Sequence, residues 1–298
     1  MEIGVIGLGR MGANMRDRLR ADGHTVIGYD AAPGVGDVYS LHDLVKGLAV
    51  PRVLWTMVPA GAPTREVIDE LADLLTDGDL VIDGGNSRFT EDAVHAASLG
   101  ERGIAYLDCG VSGGVWGRTE GYGLMVGGSA ADVRRAMPVF DTLRPEGPRE
   151  RGFVHAGPTG AGHYAKMVHN GIEYGLMQAY AEGYELLAAE SLITAPDEVM
   201  RAWQSGTVVR SWLLELLVAA LADDPGLAEI TGYTEDSGEG RWTVEEAIGH
   251  AVPTPVIAAA LFARFSSRQE ESPAMKAVAA LRNRFGGHQV HTDPEAGK

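Results

Sequence analysis

Apolar and polar positions follow two different rhythms along this chain. In the first half, short β-branched runs recur at Glu2–Ile6, Thr25–Tyr29, Val53–Met57, Leu80–Asp83, Ala105–Cys109 and Leu124–Val126. Helical patterns sit between most of them, such as Met11–Asp22, Thr64–Leu75 and Ala131–Leu143. Strands alternating with helices predict βαβ units and a mostly parallel sheet covered by helices. A last strand-like run lies near Phe153–His155, and Gly157-Pro158-Thr159-Gly160-Ala161-Gly162 then breaks the chain. Beyond it only helical periodicity remains, at Tyr164–Ala189, Pro196–Gln204, Val208–Ala222, Thr243–Ala251, Pro255–Phe265 and Ala274–Phe285. The pattern predicts two domains: residues 1–158, α/β with a mostly parallel sheet, and residues 159–298, all-α.

Bulk properties narrow the function classes. The chain has 298 residues, enough for two packed cores, and 45% hydrophobic against 22% charged residues excludes a disordered chain. Lys and Arg number 25 against 41 Asp and Glu, a net charge of −16. Such a surface repels phosphate backbones and anionic membranes, so nucleic acid and membrane are not expected partners. A small anionic substrate remains compatible if Arg and Lys are concentrated in its pocket. Cys109 is the only cysteine; it reads as a small core residue and fits a reducing, cytoplasmic location. No signal-peptide pattern precedes the first strand, and the most apolar later stretch, Trp212–Leu221, is interrupted by Glu215 and too short to span a bilayer. The tail His291–Lys298 is polar and expected to fray.

Gly7-Leu8-Gly9-Arg10-Met11-Gly12 fits G-x-G-x-x-G directly after the first strand and at the start of a helix. In that setting Gly7 permits a tight turn, Gly9 lets the backbone approach a pyrophosphate, and Gly12 lets helix and strand pack closely. The helix N-terminus then faces the phosphates with its partial positive charge. Asp30 ends the second strand, where a carboxylate accepts hydrogen bonds from ribose hydroxyls. No Arg or Lys follows in Ala31-Ala32-Pro33-Gly34, so the expected cofactor is NAD, not its 2′-phosphorylated form. Met57-Val58-Pro59-Ala60-Gly61 follows another strand, and Val58 and Gly61 are expected along the same cofactor.

The segment Lys166-Met167-Val168-His169-Asn170-Gly171-Ile172-Glu173-Tyr174 carries the densest chemistry. At about 100° per residue, positions 166, 169, 170, 173 and 174 share one side of a helix. Polar residues stand there at the spacing of a core stripe, directly after the interdomain linker. Gly171 costs about 1 kcal/mol of helix stability, a further departure from a plain helix. Two glycine-rich strand ends add Asn86, in Gly84-Gly85-Asn86-Ser87, and Ser112, in Val111-Ser112-Gly113-Gly114. Ligands of open α/β sheets bind beyond the carboxyl ends of strands, so Asn86 and Ser112 are expected in the same crevice as the nicotinamide end, with Asn86 also touching the cofactor.

With these elements together, the chain resembles the 6-phosphogluconate dehydrogenases, within the wider β-hydroxyacid dehydrogenases. The matching segments are residues 7–12, Asp83–Ser87, Val111–Gly114, Lys166–Tyr174, Trp203–Ser211 and Phe262-Ala263-Arg264. Chain length, Asp30 and the ending Arg282–His288 resemble the shorter, NAD-preferring branch, whose longer relatives carry extra C-terminal helices. The resemblance implies a Rossmann-type first domain and a helical substrate and dimerisation domain. It also implies oxidation at C3 of 6-phosphogluconate, loss of CO2, and tautomerisation of an enediol to ribulose 5-phosphate. Lys166 suits the base on the hydroxyl once desolvation and a neighbouring cation lower its pKa; protonated, it then polarises the ketone. Glu173 suits the acid that protonates C1. Asn170 and His169 hold the C3 hydroxyl, Ser112, Gly113 and Gly114 the carboxylate, and Asn86 further hydroxyls. Tyr174 and Arg264, with Arg241 as a third candidate, bind phosphate. By resemblance, Arg282 and His288 reach the neighbouring subunit's site in a homodimer or homotetramer. No cluster shows metal-ligand spacing, so no metal is expected.

The chain departs from the longer relatives at Ser237-Gly238-Glu239-Gly240-Arg241, where they carry a lysine and a threonine toward phosphate; Glu239 opposes phosphate if it points inward. Val115-Trp116-Gly117-Arg118 also replaces an acidic pair. Two competing readings follow. One is a related β-hydroxyacid dehydrogenase acting on another sugar acid or a small 3-hydroxy acid. The other is a non-catalytic NAD-binding sensor, against which Lys166, Asn170 and Glu173 argue as an acid–base set.

Overall fold

The computed structural model describes residues 1–291; the part of the polar tail beyond His291 lies outside the described residues. The chain forms two compact units, Met1–Asn170 and Gly171–Lys298. The first runs β1 (Glu2–Ile6), α1 (Arg10–Ala21), β2 (Thr25–Tyr29), α2 (Leu41–Gly47), β3 (Val53–Thr56), α3 (Ala62–Leu74), β4 (Leu80–Asp83), α4 (Phe89–Gly100), β5 (Ala105–Ser112), α5 (Gly117–Glu120), β6 (Gly123–Gly127), α6 (Ala130–Leu143) and β7 (Phe153–Gly157). The long helix α7 (Ala161–Ala189) follows, then α8 (Pro196–Trp203), α9 (Trp212–Asp223), α10 (Glu239–Gly249), α11 (Pro255–Ser266) and α12 (Pro273–Gly286).

The seven strands form one sheet in the order β2-β1-β3-β4-β5-β6-β7. All neighbours are parallel except β5 and β6. The strand order reverses at β1, so a crevice opens between the carboxyl ends of β1 and β3. Strand alternation divides the core cleanly. Ile3, Val5, Val53, Trp55, Leu80, Ile82, Leu107 and Cys109 face α1 and α6, meeting Met15, Leu19, Val139 and Phe140. Ile6, Leu54, Val81 and Tyr106 face the opposite side and meet Leu44, Ile68, Leu71 and Leu99 of α2, α3 and α4. Period-two side-chain alternation against helices with 3.6-residue periodicity builds both layers.

Several boundaries differ from the sequence reading, two of them for visible reasons. β5 runs on to Ser112 because β6 folds back antiparallel and pairs Asp108–Ser112 with Gly123–Gly127. α9 starts at Trp212, not Val208, because the Ser211 hydroxyl caps it by accepting from the Leu214 amide at 3.1 Å. α10 begins four residues before Thr243, at Glu239. Among the described residues no helix is long and apolar enough to cross a membrane.

Candidate active site

The glycine motif occupies the turn from β1 into α1. Gly7 has φ +86°, and a methyl there would strike the Met57 carbonyl. A methyl on Gly12 would overlap the Gly7 carbonyl, so helix and strand meet backbone to backbone. Gly9, by contrast, faces open space. It precedes Arg10 as the N-cap of α1, with no side-chain cap and no acid in the first turn. The Leu8 amide donates to Asp30 Oδ2 at 2.6 Å, and the Ala32 amide to Oδ1 at 2.8 Å. Asp30 is thereby aimed at the turn, and each oxygen keeps a lone pair for a ribose hydroxyl. Two arginines of α1 are paired with carboxylates nearby, Arg20 with Asp37 and Arg16 with Asp17. An uncapped helix start, an open glycine and a pinned carboxylate fit a dinucleotide with free 2′-hydroxyl. Gly61, with φ +85°, is the N-cap of α3, and Val58 is partly buried just before it. Asn86 is exposed beyond β4.

The second group joins β5 to α7 within the first unit. Lys166 Nζ donates to Asn170 Oδ1 at 2.6 Å and lies 3.4 Å from His169 Nδ1. His169 Nδ1 is 3.0 Å from Asn170 Oδ1, and its Nε2 is 3.4 Å from the Ser112 hydroxyl. Four residues proposed from two separate motifs therefore form one hydrogen-bonded set, all partly buried. Gly113 and Gly114 follow Ser112 with φ of +131° and +53°, conformations that glycine tolerates and other residues rarely adopt.

The second unit holds the remaining candidates separately. Tyr174 is buried, its hydroxyl accepts from the Ser237 amide at 3.3 Å, and Arg264 stacks 3.4 Å above its ring centre. Glu173 precedes it and is half-buried. Glu239 is only 2% exposed, and its Oε2 accepts from the Ser237 hydroxyl at 2.6 Å. Arg241 closes its fork on Asp236, at 2.7 and 3.0 Å, and Arg268 joins at 2.9 Å. The Arg241 hydrogen bonds hold the Asp236 carboxyl below its usual range. Gly171 has a packing reason as well as any functional one, since a methyl there would lie 2.7 Å from the Thr243 side chain on α10. Arg282 and His288 are exposed, and the His288 ring packs against Phe285 of its own segment. They are not among the residues gathered around Tyr174.

The sequence reading did not single out a buried polar cluster beneath the first unit's site. Asp83, Asp92, Asp108 and His163 are all essentially inaccessible. Asp83 accepts from Ser87 Oγ at 2.8 Å and the Gly85 amide at 2.9 Å, shaping the loop that carries Asn86. Donor atoms of Asp83, Asp92 and His95, and of Asp92, Asp108 and His163, lie within 4.8 Å of one another, a proximity that no sequence spacing displays. Hydroxyls and amides already take up the carboxylates, as an unpaired buried charge would cost on the order of several kcal/mol. The available signal was Asp108 itself, an acid in the middle of the apolar run Leu107–Val111.

Comparison with known proteins decides the family. The model of the NAD binding domain of 6-phosphogluconate dehydrogenase matches residues 2–144, and that of the 6-phosphogluconate dehydrogenase C-terminal domain matches residues 162–296. A Haloferax volcanii protein named 6-phosphogluconate dehydrogenase, NAD(+)-dependent, decarboxylating, is 41% identical, covering 97% of this chain and 98% of that one. The chain belongs to the 6-phosphogluconate dehydrogenase family. A structure of the Plasmodium falciparum 6-phosphogluconate dehydrogenase matches with TM-score 0.78 at 27% identity, over 99% of this chain and 67% of the longer one. The Mycobacterium tuberculosis 3-hydroxyisobutyrate dehydrogenase matches with TM-score 0.68 at 25% identity, over 94% and 99%. The 6-phosphogluconate dehydrogenase family thus accounts for both units of the chain, and its NAD-binding model covers the Gly7–Gly12 turn and Asp30.

Proposed function

We propose that the chain oxidises and decarboxylates 6-phosphogluconate with NAD, releasing CO2 and ribulose 5-phosphate. The observation that carries this reading is the joined set Ser112, Lys166, His169 and Asn170 at the β5–α7 contact. Bound NAD supplies the hydride acceptor, held by residues 7–12, Asp30, Val58, Gly61 and Asn86. Lys166 takes the C3 hydroxyl proton, while His169 and Asn170 orient that hydroxyl. The Lys166 ammonium then polarises the C3 ketone as the carboxylate, held by Ser112, Gly113 and Gly114, leaves as CO2. Glu173 protonates C1 of the enediol. Residues 1–158 bind the cofactor and lend Asn86 and Ser112–Gly114 to the substrate, and 159–298 supply the remaining substrate contacts and the assembly. A cytoplasmic location fits the buried lone thiol of Cys109.

The stacked Arg264 retains N–H groups for a phosphate beside Tyr174, since one nitrogen donates to the Glu235 carbonyl at 3.1 Å. The commitment of Arg241 and Arg268 to Asp236, with Glu239 buried nearby, favours a second reading: a sugar acid or small 3-hydroxy acid without phosphate. Following NADH absorbance and CO2 release with phosphorylated and unphosphorylated acids separates the two. Higher kcat/KM with 6-phosphogluconate than with gluconate is expected; the reverse order overturns the proposed substrate. The same assay with NADP is expected to be much slower, and Asp30→Ala to narrow the gap. Equal use of both cofactors by the unmodified chain refutes the Asp30 role.

A homodimer or homotetramer is also proposed, with Arg282 and His288 reaching a neighbouring site. α12 buries none of its residues, and Met275, Val278, Leu281 and Phe285 form an apolar stripe at helical spacing that is 45–80% exposed. Sedimentation should show an oligomer that dissociates when Leu281 and Phe285 become Glu. A fully active monomer refutes this assembly.

A further inference from the structure

β5 and α7 meet in matched steps. On β5 the residues Asp108, Gly110 and Ser112 share one face, with successive members about 6.6 Å apart. α7 rises about 1.5 Å per residue, so three or four of its residues cover a similar distance. Asp108 meets Gly162 and His163, Gly110 meets Lys166, and Ser112 meets His169. Asp108 Oδ1 accepts from the Gly160 amide at 2.7 Å, and its Oδ2 from Gly162 at 2.7 Å and His163 at 3.0 Å. A carboxylate more than fifty positions away in sequence therefore gathers the leading amides of α7, through short charge-assisted bonds.

We propose that Asp108 is a positioning residue for the reaction: its grip on the start of α7 sets Lys166 at the correct height beside Ser112. The inference rests on Lys166 being the base. A second anchor supports the same placement. His163 Nδ1 lies 2.9 and 3.0 Å from the Asp92 oxygens, and Tyr106 donates to Asp92 at 2.8 Å. Burial opposes charge on His163, yet the hydrogen bond and charge of Asp92 outweigh it and push the imidazole up to about 9. The contact also has no slack. A methyl on Gly162 would overlap the Met125 carbonyl, and a methyl on Gly110 would overlap Lys166 Cβ. The helix backbone thus lies directly on the strand, and a small slip carries Lys166 away from Ser112. A misplacement of about 1 Å can cost roughly 10²-fold in rate.

Steady-state and single-turnover NADH formation by the full chain tests this. Asp108→Asn keeps the shape but turns one acceptor into a donor facing an amide. It is expected to lower kcat by roughly 10²-fold with the KM for NAD unchanged, because Gly7–Gly12 and Asp30 belong to β1, β2 and their turns. In a Lys166→Met background the same substitution should add little further loss, because its effect runs through Lys166. Gly110→Ala leaves Asp108 and every charged group in the chain, presses on Lys166 and the Gly162 carbonyl directly, and should reproduce this signature even if Asp108→Asn fails to fold. Wild-type kcat in folded Asp108→Asn or in Gly110→Ala overturns the inference. So does a full additional loss in the Lys166→Met background, which marks a general structural role. Near-normal turnover of Lys166→Met alone brings down the base assignment, and the inference with it; a dead Lys166→Met beside an active Gly110→Ala brings down only the positioning role.

Discussion

Lys166→Met is expected to lower NADH formation from 6-phosphogluconate by about 10²–10⁴-fold, the usual worth of a positioned acid–base group. That corresponds to about 2.7–5.4 kcal/mol of barrier. Methionine keeps most of the length and apolar stem of lysine, so α7 and its contact with Gly110 should persist. What disappears is the Nζ that now donates to Asn170 Oδ1 at 2.6 Å and lies 3.4 Å from His169. His169 and Asn170 can still orient a hydroxyl, but an alcohol proton with no base to receive it leaves far too slowly at neutral pH. NAD binding, measured by titration, should stay close to normal, since its residues lie elsewhere in the first unit. Turnover within a few fold of the unmodified chain would place the base on another residue.

Glu173→Gln is expected to abolish most steady-state turnover while preserving part of a single-turnover burst of NADH. Glutamine retains the size of the side chain and its hydrogen-bonding reach, but cannot exchange a proton with the enediol. The division of labour predicts that oxidation precedes the need for Glu173. In rapid-mixing experiments with enzyme in excess, the burst should therefore remain and the release of ribulose 5-phosphate should stall. Equal loss of burst in Lys166→Met and Glu173→Gln would put Glu173 at or before hydride transfer and overturn the assignment. The burst separates chemistry from later steps, which kcat alone does not.

Much of this was legible in the linear chain because the determining physics is local. Short β-branched runs marked every strand of the sheet, and the runs Tyr164–Ala189 and Pro255–Phe265 marked α7 and α11. Gly7 and Gly12 announced a turn because its φ at Gly7 and the close backbone approaches at both positions demand glycine, Gly9 left the space before the helix open, and Asp30 followed at the end of β2. The polar stripe on α7 was visible because a helix folds its own sequence into faces. Local pattern stops where partners are distant. Nothing near Asp108 in sequence reveals that it caps α7, because its three amides come from residues 160–163. The pairing of His163 with Asp92, and the closing of Arg241 on Asp236, were hidden likewise. The antiparallel return of β6 was hidden too, since strand direction depends on the path of the connection and not on the residues of the strand. The sequence by itself determined the elements, the glycine turn from β1 into α1 and the candidate reactive groups, through periodicity and steric demands acting within a few residues. Only the tertiary structure decided which charges neutralise one another and where Lys166 stands, because burial and long-range hydrogen bonds exist only once the sheet brings remote segments together.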